Sequence, residues 1–356
     1  GTTNAYDRVN NRTAELKLHA AVESELIALD SAYRLTSFQR GELNGTLDTI
    51  VTPSGNAPFR NDWTLDGVGN WTAVDGESRE HTNFNEIATQ DDGQGNVTTL
   101  DHDDNGNQTD SGANVNTWDS FNRLRTISVR QPDVTLVGTY LYDALNRRIR
   151  KSVTNSPGLD GTTDFLYDGW RVIEERDGEL DQPTTQFVYG NGIDEILLAT
   201  IDADGNGVTT DVADTAHTYH ANVLGSIYAI TDSLANTVEG YHYDAYGFPT
   251  VFLPGDNDVV DFGGDDVVLA GPGSLAGNPF LFTGRRFDSE TGLYYFRNRY
   301  LDSFQGRFIS RDPIGTWGDA ESHGNGAVYA GSNPFSATDP MGLEANWRRR
   351  LQVYWN

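Results

Sequence analysis

A short motif that recurs along the chain is the strongest constraint on its fold. In each copy a Tyr, Trp or Leu precedes an aspartate and a small loop, and the typical copy continues with Asn or Tyr, an arginine and a hydrophobic residue. The clearest copies begin at Tyr6, Leu29, Trp118, Tyr142 and Tyr167, and weaker ones begin at Leu65 and Leu100. The aspartates Asp119, Asp143 and Asp168 lie 24 to 25 residues apart, a spacing that suits one β-hairpin with its turns. The repeat therefore predicts a stack of hairpins.

The polar residues of the motif suit a tight turn. The aspartate can accept hydrogen bonds from backbone amides of the turn, and the Asn or Gly can adopt a positive φ. The residues that follow alternate between apolar and polar, as in a half-buried strand. The chain also has 38 glycines and many Asn-Gly, Asp-Gly and Gly-Asn pairs, which join short strands. We therefore predict an all-β fold in which helix is the minority.

Composition excludes several functions. The formal net charge of -27 repels nucleic acid and anionic lipid, so neither is expected as a partner. The chain has no cysteine, and hence no disulfide framework and no thiolate metal site. No apolar run reaches the roughly 18 residues of a membrane span, and the first twenty residues do not form a signal peptide.

Because the chain lacks an initiating Met and opens inside a repeat, we expect a fragment of a longer protein.

The repeats resemble the YD repeats of the RHS (rearrangement hot spot) family, which includes the C subunits of insecticidal toxin complexes and the teneurins. From residue 217 the sequence HTYHANVLGSIYAITDS resembles the RHS-associated core domain of that family, with Asn222 where Asp is usual. The resemblance implies a β-sheet that spirals into a hollow shell, with the core domain closing one end. We expect a YD-repeat shell at residues 1–216 and the core at 217–343. A Gly/Asp-rich insertion at 251–277 is expected to form a surface loop or an extra hairpin, and residues 344–356 are a tail or the start of a C-terminal variable region.

Two Asp-Pro-x-Gly sequences, at Asp312 and Asp339, predict tight turns that Asp caps, Pro initiates and Gly ends. In the RHS and toxin-complex C families the core acts as an intramolecular aspartyl protease that cuts after the Leu of the final Asp-Pro-x-Gly-Leu. The resemblance implies a catalytic pair, Asp312 and Asp339, with Arg311 as a supporting cation. It places the cut between Leu343 and Glu344. Such hydrolysis requires two carboxyls close enough to share a proton.

The segment that contains the two Asp-Pro-x-Gly sequences departs from the family pattern at two places. The two aspartates are 27 residues apart, a few more than the family pattern has, and the sequence TWGDAESHGNG accounts for the excess. Ala327 stands where an aromatic residue is usual. The alternative is that both turns are purely structural.

The resemblance implies the shell and core of an exported RHS-type polymorphic toxin, secreted or at the cell surface. It would enclose its own C-terminal effector and release it by one self-cleavage, with a delivery machinery or self-association as further partners. The alternative function is a non-enzymatic extracellular protein whose YD repeats serve adhesion, a scaffold or a filament. The tail with Arg348, Arg349 and Arg350 is either the ordered start of the cargo or a basic tail held against the acidic body.

The sequence DADGNGVTTD has acidic and amide side chains at the spacing of a calcium loop. The candidate ligands are Asp202, Asp204, Asn206 and Asp211. The twelfth position is Ala213 instead of Glu, and either Asp211 or Asp214 could take its place. A Gly-rich hairpin turn explains the same residues. No other cofactor is expected.

Two further groups favour structural roles. His217 and His220 lie on a predicted strand, where residues three apart point to opposite faces, and this excludes a shared zinc ion. The arginines between residues 285 and 311 form a locally basic segment, which we interpret as a buried polar network of the core domain.

Overall fold

The computed structural model describes residues 2–347 except 19, 57–59, 131, 263 and 316. Nearly all regular structure in this part of the chain is β-strand, which confirms the predicted all-β class. The remaining regular elements are short 3-10 turns at Ala21–Glu23, Phe282–Gly284, Ala320–Ser322 and Ala330–Ser332. Within the described residues no helix has the length and apolar character needed to cross a membrane.

The first ten strands form one antiparallel sheet. They are β1 (Thr2–Tyr6), β2 (Arg12–Lys17), β3 (Glu25–Leu29), β4 (Leu35–Leu43), β5 (Ile50–Pro53), β6 (Arg60–Leu65), β7 (Trp71–Val74), β8 (Glu77–His81), β9 (Ile87–Asp91) and β10 (Val97–Thr99). Each strand pairs with its neighbour in sequence, except that β4 pairs with β6 and β5 lies off this path beside β4.

The next fifteen strands form a second sheet in unbroken sequence order. They are β11 (Asp101–His102), β12 (Gln108–Asp110), β13 (Asn114–Trp118), β14 (Leu124–Arg130), β15 (Val134–Tyr142), β16 (Arg148–Val153), β17 (Gly161–Asp168), β18 (Arg171–Asp177), β19 (Pro183–Tyr189), β20 (Ile196–Ile201), β21 (Thr215–Ala221), β22 (Ile227–Thr231), β23 (Thr237–Tyr243), β24 (Pro249–Leu253) and β25 (Val267–Val268). A stack of consecutive hairpins is what the repeat predicted.

Two small sheets complete the structure. The first contains β26 (Arg286–Asp288), β27 (Leu293–Tyr295), β28 (Tyr300–Asp302) and β29 (Arg307–Phe308), and the second contains β30 (Ala337–Thr338) and β31 (Asn346–Trp347). Both lie in the C-terminal segment, residues 278–347.

The repeat turns have the predicted hydrogen bonds. Oδ1 of Asp143 accepts from the amides of Leu145 at 2.8 Å and Arg147 at 2.9 Å, and Asn146 has a φ of 65°. The same pair of bonds, to the second and fourth following amides, occurs at Asp7, Asp30, Asp66, Asp92, Asp103, Asp119, Asp232 and Asp244. Asn222, where the family pattern has Asp, accepts both bonds as well.

The remaining motif residues connect one repeat to the next. The hydroxyl of Tyr167 donates to the carbonyl of Arg148 in the preceding repeat at 2.8 Å. Arg147 donates from Nε to Asp143 at 2.7 Å and from Nη1 to the carbonyl of Gly169 in the following repeat at 2.6 Å. The aromatic residue and the arginine therefore bond backbone carbonyls in neighbouring repeats, which explains why both recur with the aspartate.

The C-terminal segment packs against the buried faces of both large sheets. Its Asp288 forms a fully buried ion pair with Arg148 of β16, and Arg79 of β8 donates to the carbonyl of Gln305 at 3.0 Å. The first sheet also contacts the late strands of the second, because Arg40 of β4 donates to the carbonyl of Tyr243. One continuous hydrophobic core therefore includes residues of both sheets and of the segment.

The predicted boundary between residues 216 and 217 falls inside β21, and hydrogen bonding continues across it to β25. The insertion at 251–277 includes an extra hairpin, in which Phe252 pairs with Val268. Part of the insertion packs inward, because the ring of Phe262 stacks on His242 at 3.8 Å. In β21, His217 is buried and His220 is exposed, as predicted for opposite faces.

Candidate active site

The two Asp-Pro-x-Gly sequences form turns, as predicted. The carbonyl of Asp312 accepts from the amide of Gly315 at 3.0 Å, and that of Asp339 accepts from Gly342 at 3.2 Å. Oδ1 of Asp312 also accepts from the amide of Ile314 at 3.0 Å. Both aspartates are buried, with exposed fractions of 8% and 2%. Each turn thus fixes the backbone around a carboxylate that is withdrawn from water.

Arg299 connects these two carboxylates. Its Nη2 lies 3.1 Å from Oδ2 of Asp312 and 3.0 Å from Oδ2 of Asp339. Its Nε donates to the carbonyl of Gly342 at 2.6 Å, and its Nη1 donates to the carbonyl of Gly326 at 2.9 Å. Arg299 therefore links the two turns and holds the backbone before the predicted cleavage point.

Arg299 is itself held by its surroundings. It immediately precedes β28, is buried, and has its guanidinium 3.7 Å from the centre of the Phe308 ring. The interpretation as a buried polar network holds for most of the arginines between residues 285 and 311, but Arg311 is partly exposed. The other buried arginines are Arg285, Arg286, Arg297 and Arg307.

The structure places Arg311 away from the aspartate pair. It forms an ion pair with Glu86 at the end of the loop before β9, and it lies 5.0 Å from the centre of the Phe84 ring. The cation between Asp312 and Asp339 is Arg299, so the expectation that Arg311 supports the pair is corrected.

The predicted cleavage point lies directly against these carboxylates. Oδ1 of Asp339 accepts from the amides of Leu343 at 2.9 Å and Glu344 at 3.2 Å. The next amide, of Ala345, donates to Oδ2 of Asp319 at 3.3 Å. Three consecutive amides around the Leu343–Glu344 bond therefore donate to carboxylate oxygens.

Asp319 is, after Arg299, the second residue of this site that the sequence analysis missed. It lies in the stretch TWGDAESHGNG, where the chain is longer than the family pattern, and it is only 6% exposed. Its Oδ1 accepts from the amide of Glu321 at 3.0 Å, so it also caps a 3-10 turn. The only sequence signal was an additional aspartate between the two Asp-Pro-x-Gly turns.

The electrostatics of the site follow from three carboxylates and one guanidinium. Burial raises the pKa of Asp312 to about 6, and Arg299 opposes that shift. Burial also raises the pKa of Asp319, with the charge of Asp339 adding to the shift. Burial lowers the pKa of Arg299, against the attraction of the carboxylates. The site can therefore hold or release a proton near neutral pH.

The candidate calcium residues lie in the loop between β20 and β21. Oxygen atoms of Asp202, Asp204 and Asp214 lie within 4.8 Å of one another. Asp211 instead accepts from Nδ2 of Asn206 at 2.8 Å. The carboxylate of Asp202 already accepts from loop amides, as expected for a Gly-rich turn. Calcium binding stays a prediction, and of the two aspartates that could replace the missing Glu, Asp214 belongs to the converging group.

Comparison with known proteins gives relatives over most of the chain, although no family model matches it. It is 32% identical over 306 residues to the tRNA nuclease WapA of Bacillus subtilis strain 168, which covers 84% of this chain and 11% of the relative. It is 26% identical over 244 residues to the double-stranded DNA deaminase toxin A of Burkholderia cenocepacia, which covers 65% of this chain and 15% of the relative. The chain thus spans less than a fifth of the length of these relatives.

Solved structures show the same fold. A crystal structure of TcdB2-TccC3 aligns with a TM-score of 0.63 at 16% identity, over 96% of this chain and 17% of that one. The Tc holotoxin pore of Photorhabdus luminescens aligns with a TM-score of 0.63 at 15% identity, over 97% of this chain and 17% of that one. The β fold that the family resemblance implied is therefore also found in these solved structures.

Proposed function

This chain belongs to the RHS family of YD-repeat proteins, and we propose that it is the shell and core part of an exported toxin that cuts its own chain once, between Leu343 and Glu344. The observation that carries the proposal is the hydrogen bond from the Glu344 amide to Asp339, whose carboxylate shares Arg299 with Asp312. The nitrogen that would leave during cleavage already touches one of the two predicted catalytic side chains.

The chemistry is hydrolysis of one peptide bond by a carboxyl pair. A water molecule attacks the carbonyl carbon of Leu343 and loses a proton to the pair, and the bond to the nitrogen of Glu344 breaks as the pair returns a proton to that nitrogen. The products are a carboxylate at Leu343 and an amine at Glu344. With its pKa raised to about 6, Asp312 suits proton exchange near neutral pH.

The tertiary structure favours an intramolecular reaction. Asp339 and the Leu343–Glu344 bond belong to one turn, so no substrate has to diffuse to the site. Arg299 holds Gly342, the residue before the bond, through its carbonyl. Positioning of this kind supports a single turnover in the chain's own core.

The proposed cargo is an effector region that follows residue 343 in the natural protein. This part of the proposal is supported by relatives that are named as a tRNA nuclease and a DNA deaminase toxin, of which this chain spans only a small share. The proposed partners are that effector and a delivery machinery, and the proposed location is outside the producing cell or at its surface. The candidate tail arginines, Arg348, Arg349 and Arg350, lie outside the described residues.

The test is the mass of the purified chain. We expect a chain that extends through Asn356 to yield a body ending at Leu343, and the variants Asp339→Asn and Asp312→Asn to remain intact. Asp232→Asn is the matched control, because Asp232 caps a repeat turn far from the site and should leave the cut unchanged. An intact wild-type chain, or a cut that persists in both variants, would refute the proposal.

A further inference from the structure

We propose that Asp319 anchors the chain on the C-terminal side of the Leu343–Glu344 bond and thereby positions this bond for cleavage. The inference rests on the proposed function and adds a third carboxylate to it. Asp319 accepts the amide of Ala345, the second residue after the bond, at 3.3 Å. Asp339 binds the amides of Leu343 and Glu344 on either side of the bond, and Asp319 adds a contact one residue further along the chain.

The backbone is held on both sides of the bond, and Asp339 contacts the amides of both Leu343 and Glu344. Before the bond, Arg299 binds the carbonyl of Gly342 and Asp339 binds the amide of Leu343. After the bond, Asp319 binds Ala345, and the short strand β31 pairs with β30, where Thr338 lies opposite Asn346. A peptide bond fixed at both ends has little freedom to leave the catalytic pair, and this preorganisation is a large part of intramolecular catalysis.

The anchor also has a consequence after cleavage. The new amine of Glu344 forms between Asp339 and Asp319, because these carboxylates bind the amides of Glu344 and Ala345. A charged amine beside two carboxylates gains charge-assisted hydrogen bonds. The product-side segment therefore stays bound to the core after the cut, and its departure is a separate step.

Substitution at Asp319 can separate this role from that of a turn cap. Serine is a good N-cap and can still accept the amide of Glu321, but its side chain is too short to reach Ala345 as well. We expect Asp319→Ser to slow the cut about tenfold, which is the effect expected when one hydrogen bond to a charged group is lost. Glu321→Ser, on the same turn, is the matched control and should cut at the wild-type rate.

Two measurements on the full chain test the proposal. The first is the rate at which the cut body appears during cell-free synthesis. The second is hydrogen exchange of the Ala345 amide in an Asp312→Asn background, where the chain stays intact, and it should be faster when Asp319 is also Ser.

The outcomes distinguish the anchor from the proposed function. Equal cutting rates for the wild type and Asp319→Ser would overturn the anchor and leave autoproteolysis standing. A wild-type chain that is never cut, with Ala345 exchange still dependent on Asp319, would refute autoproteolysis and support the contact. Exchange that does not depend on Asp319 would overturn the anchor in either case.

Discussion

The backbone amide of Glu344 lies 3.2 Å from Oδ1 of Asp339, within the same turn. Asp339, which lies five residues before Glu344, therefore contacts the nitrogen of the Leu343–Glu344 bond through local geometry alone. The second aspartate, Asp312, reaches the same place from a turn 27 residues earlier in the chain. Its link to Asp339 is the guanidinium of Arg299, which depends on the packing of the whole C-terminal segment.

We predict that Arg299, and not Arg311, is required for cleavage. Lysine keeps the charge of Arg299 but cannot donate to both aspartates and two carbonyls in one plane, so Arg299→Lys should slow the cut by about tenfold or more. Arg311→Gln should cut within about twofold of the wild type, because Arg311 pairs with Glu86. The measurement is the time course of the body ending at Leu343.

Circular dichroism of the same samples shows whether each variant is folded. Normal cutting by folded Arg299→Lys, together with loss of cutting in Arg311→Gln, would restore the assignment suggested by the sequence.

We predict a pH dependence of stability from Asp312. Its pKa is raised to about 6 in the folded chain, from 3.8, so the folded state binds this proton more tightly than the unfolded state. The protonated Asp312 side chain therefore stabilises the folded state. This stabilisation is fully present below about pH 4 and is lost as the pH rises through about 6. A shift of about two units corresponds to about 3 kcal/mol.

Asp312→Asn should therefore remove the fall in the free energy of unfolding that Asp312 causes between about pH 4 and pH 7. Both chains should end at Leu343, so that neither contains the bond that is cut, and denaturant unfolding at several pH values gives the comparison. The same pH dependence in both chains would contradict the assigned shift.

We predict that the buried ion pair between Arg148 and Asp288 is essential to the attachment of the C-terminal segment. Both side chains are fully buried, and Arg148 lowers the pKa of Asp288 to about 2 against the effect of burial. Asp288→Asn leaves the guanidinium without its counter-charge and should cost about 3 to 5 kcal/mol.

The matched control for this pair is Asp62→Asn. Asp62 pairs with Arg60 on the surface, where both side chains are about half exposed, and the change should cost less than about 1 kcal/mol. Denaturant unfolding measures the free energy of unfolding of both variants. Similar losses of stability in the two variants would argue against a special role for the buried pair.

We predict that the tyrosine hydroxyl contributes to stability in the repeats that have a tyrosine before the aspartate. Tyr167→Phe removes the donor to the Arg148 carbonyl and should cost about 1 kcal/mol or slightly more, because that carbonyl loses its partner in a partly buried place. Tyr33→Phe, at an exposed tyrosine, should change stability by less than about 0.5 kcal/mol. Thermal unfolding of the two variants tests this, and an equal effect would show that the hydroxyl bond adds nothing.

Local chemistry explains what could be predicted. The turn at Asp143 and the turns at Asp312 and Asp339 depend on residues within five positions of each aspartate. The local amino-acid sequence is therefore sufficient to predict these turns. The burial of Arg285 and its neighbours was also predictable, because a basic segment in a strongly acidic chain favours an internal network. The position of Arg311 was not, since adjacency in sequence does not decide which way a side chain points.

The amino-acid sequence by itself determined the stack of antiparallel hairpins, the turns that join them and the turn that places Asp339 beside the predicted cleavage point. Each of these rests on short-range hydrogen bonding and on the alternation of side chains along a strand. Only the tertiary structure decided that Arg299 is the shared cation and that Asp319 binds the chain beyond the bond. These contacts join residues 13 to 40 positions apart, and they form only when both large sheets bury the C-terminal segment.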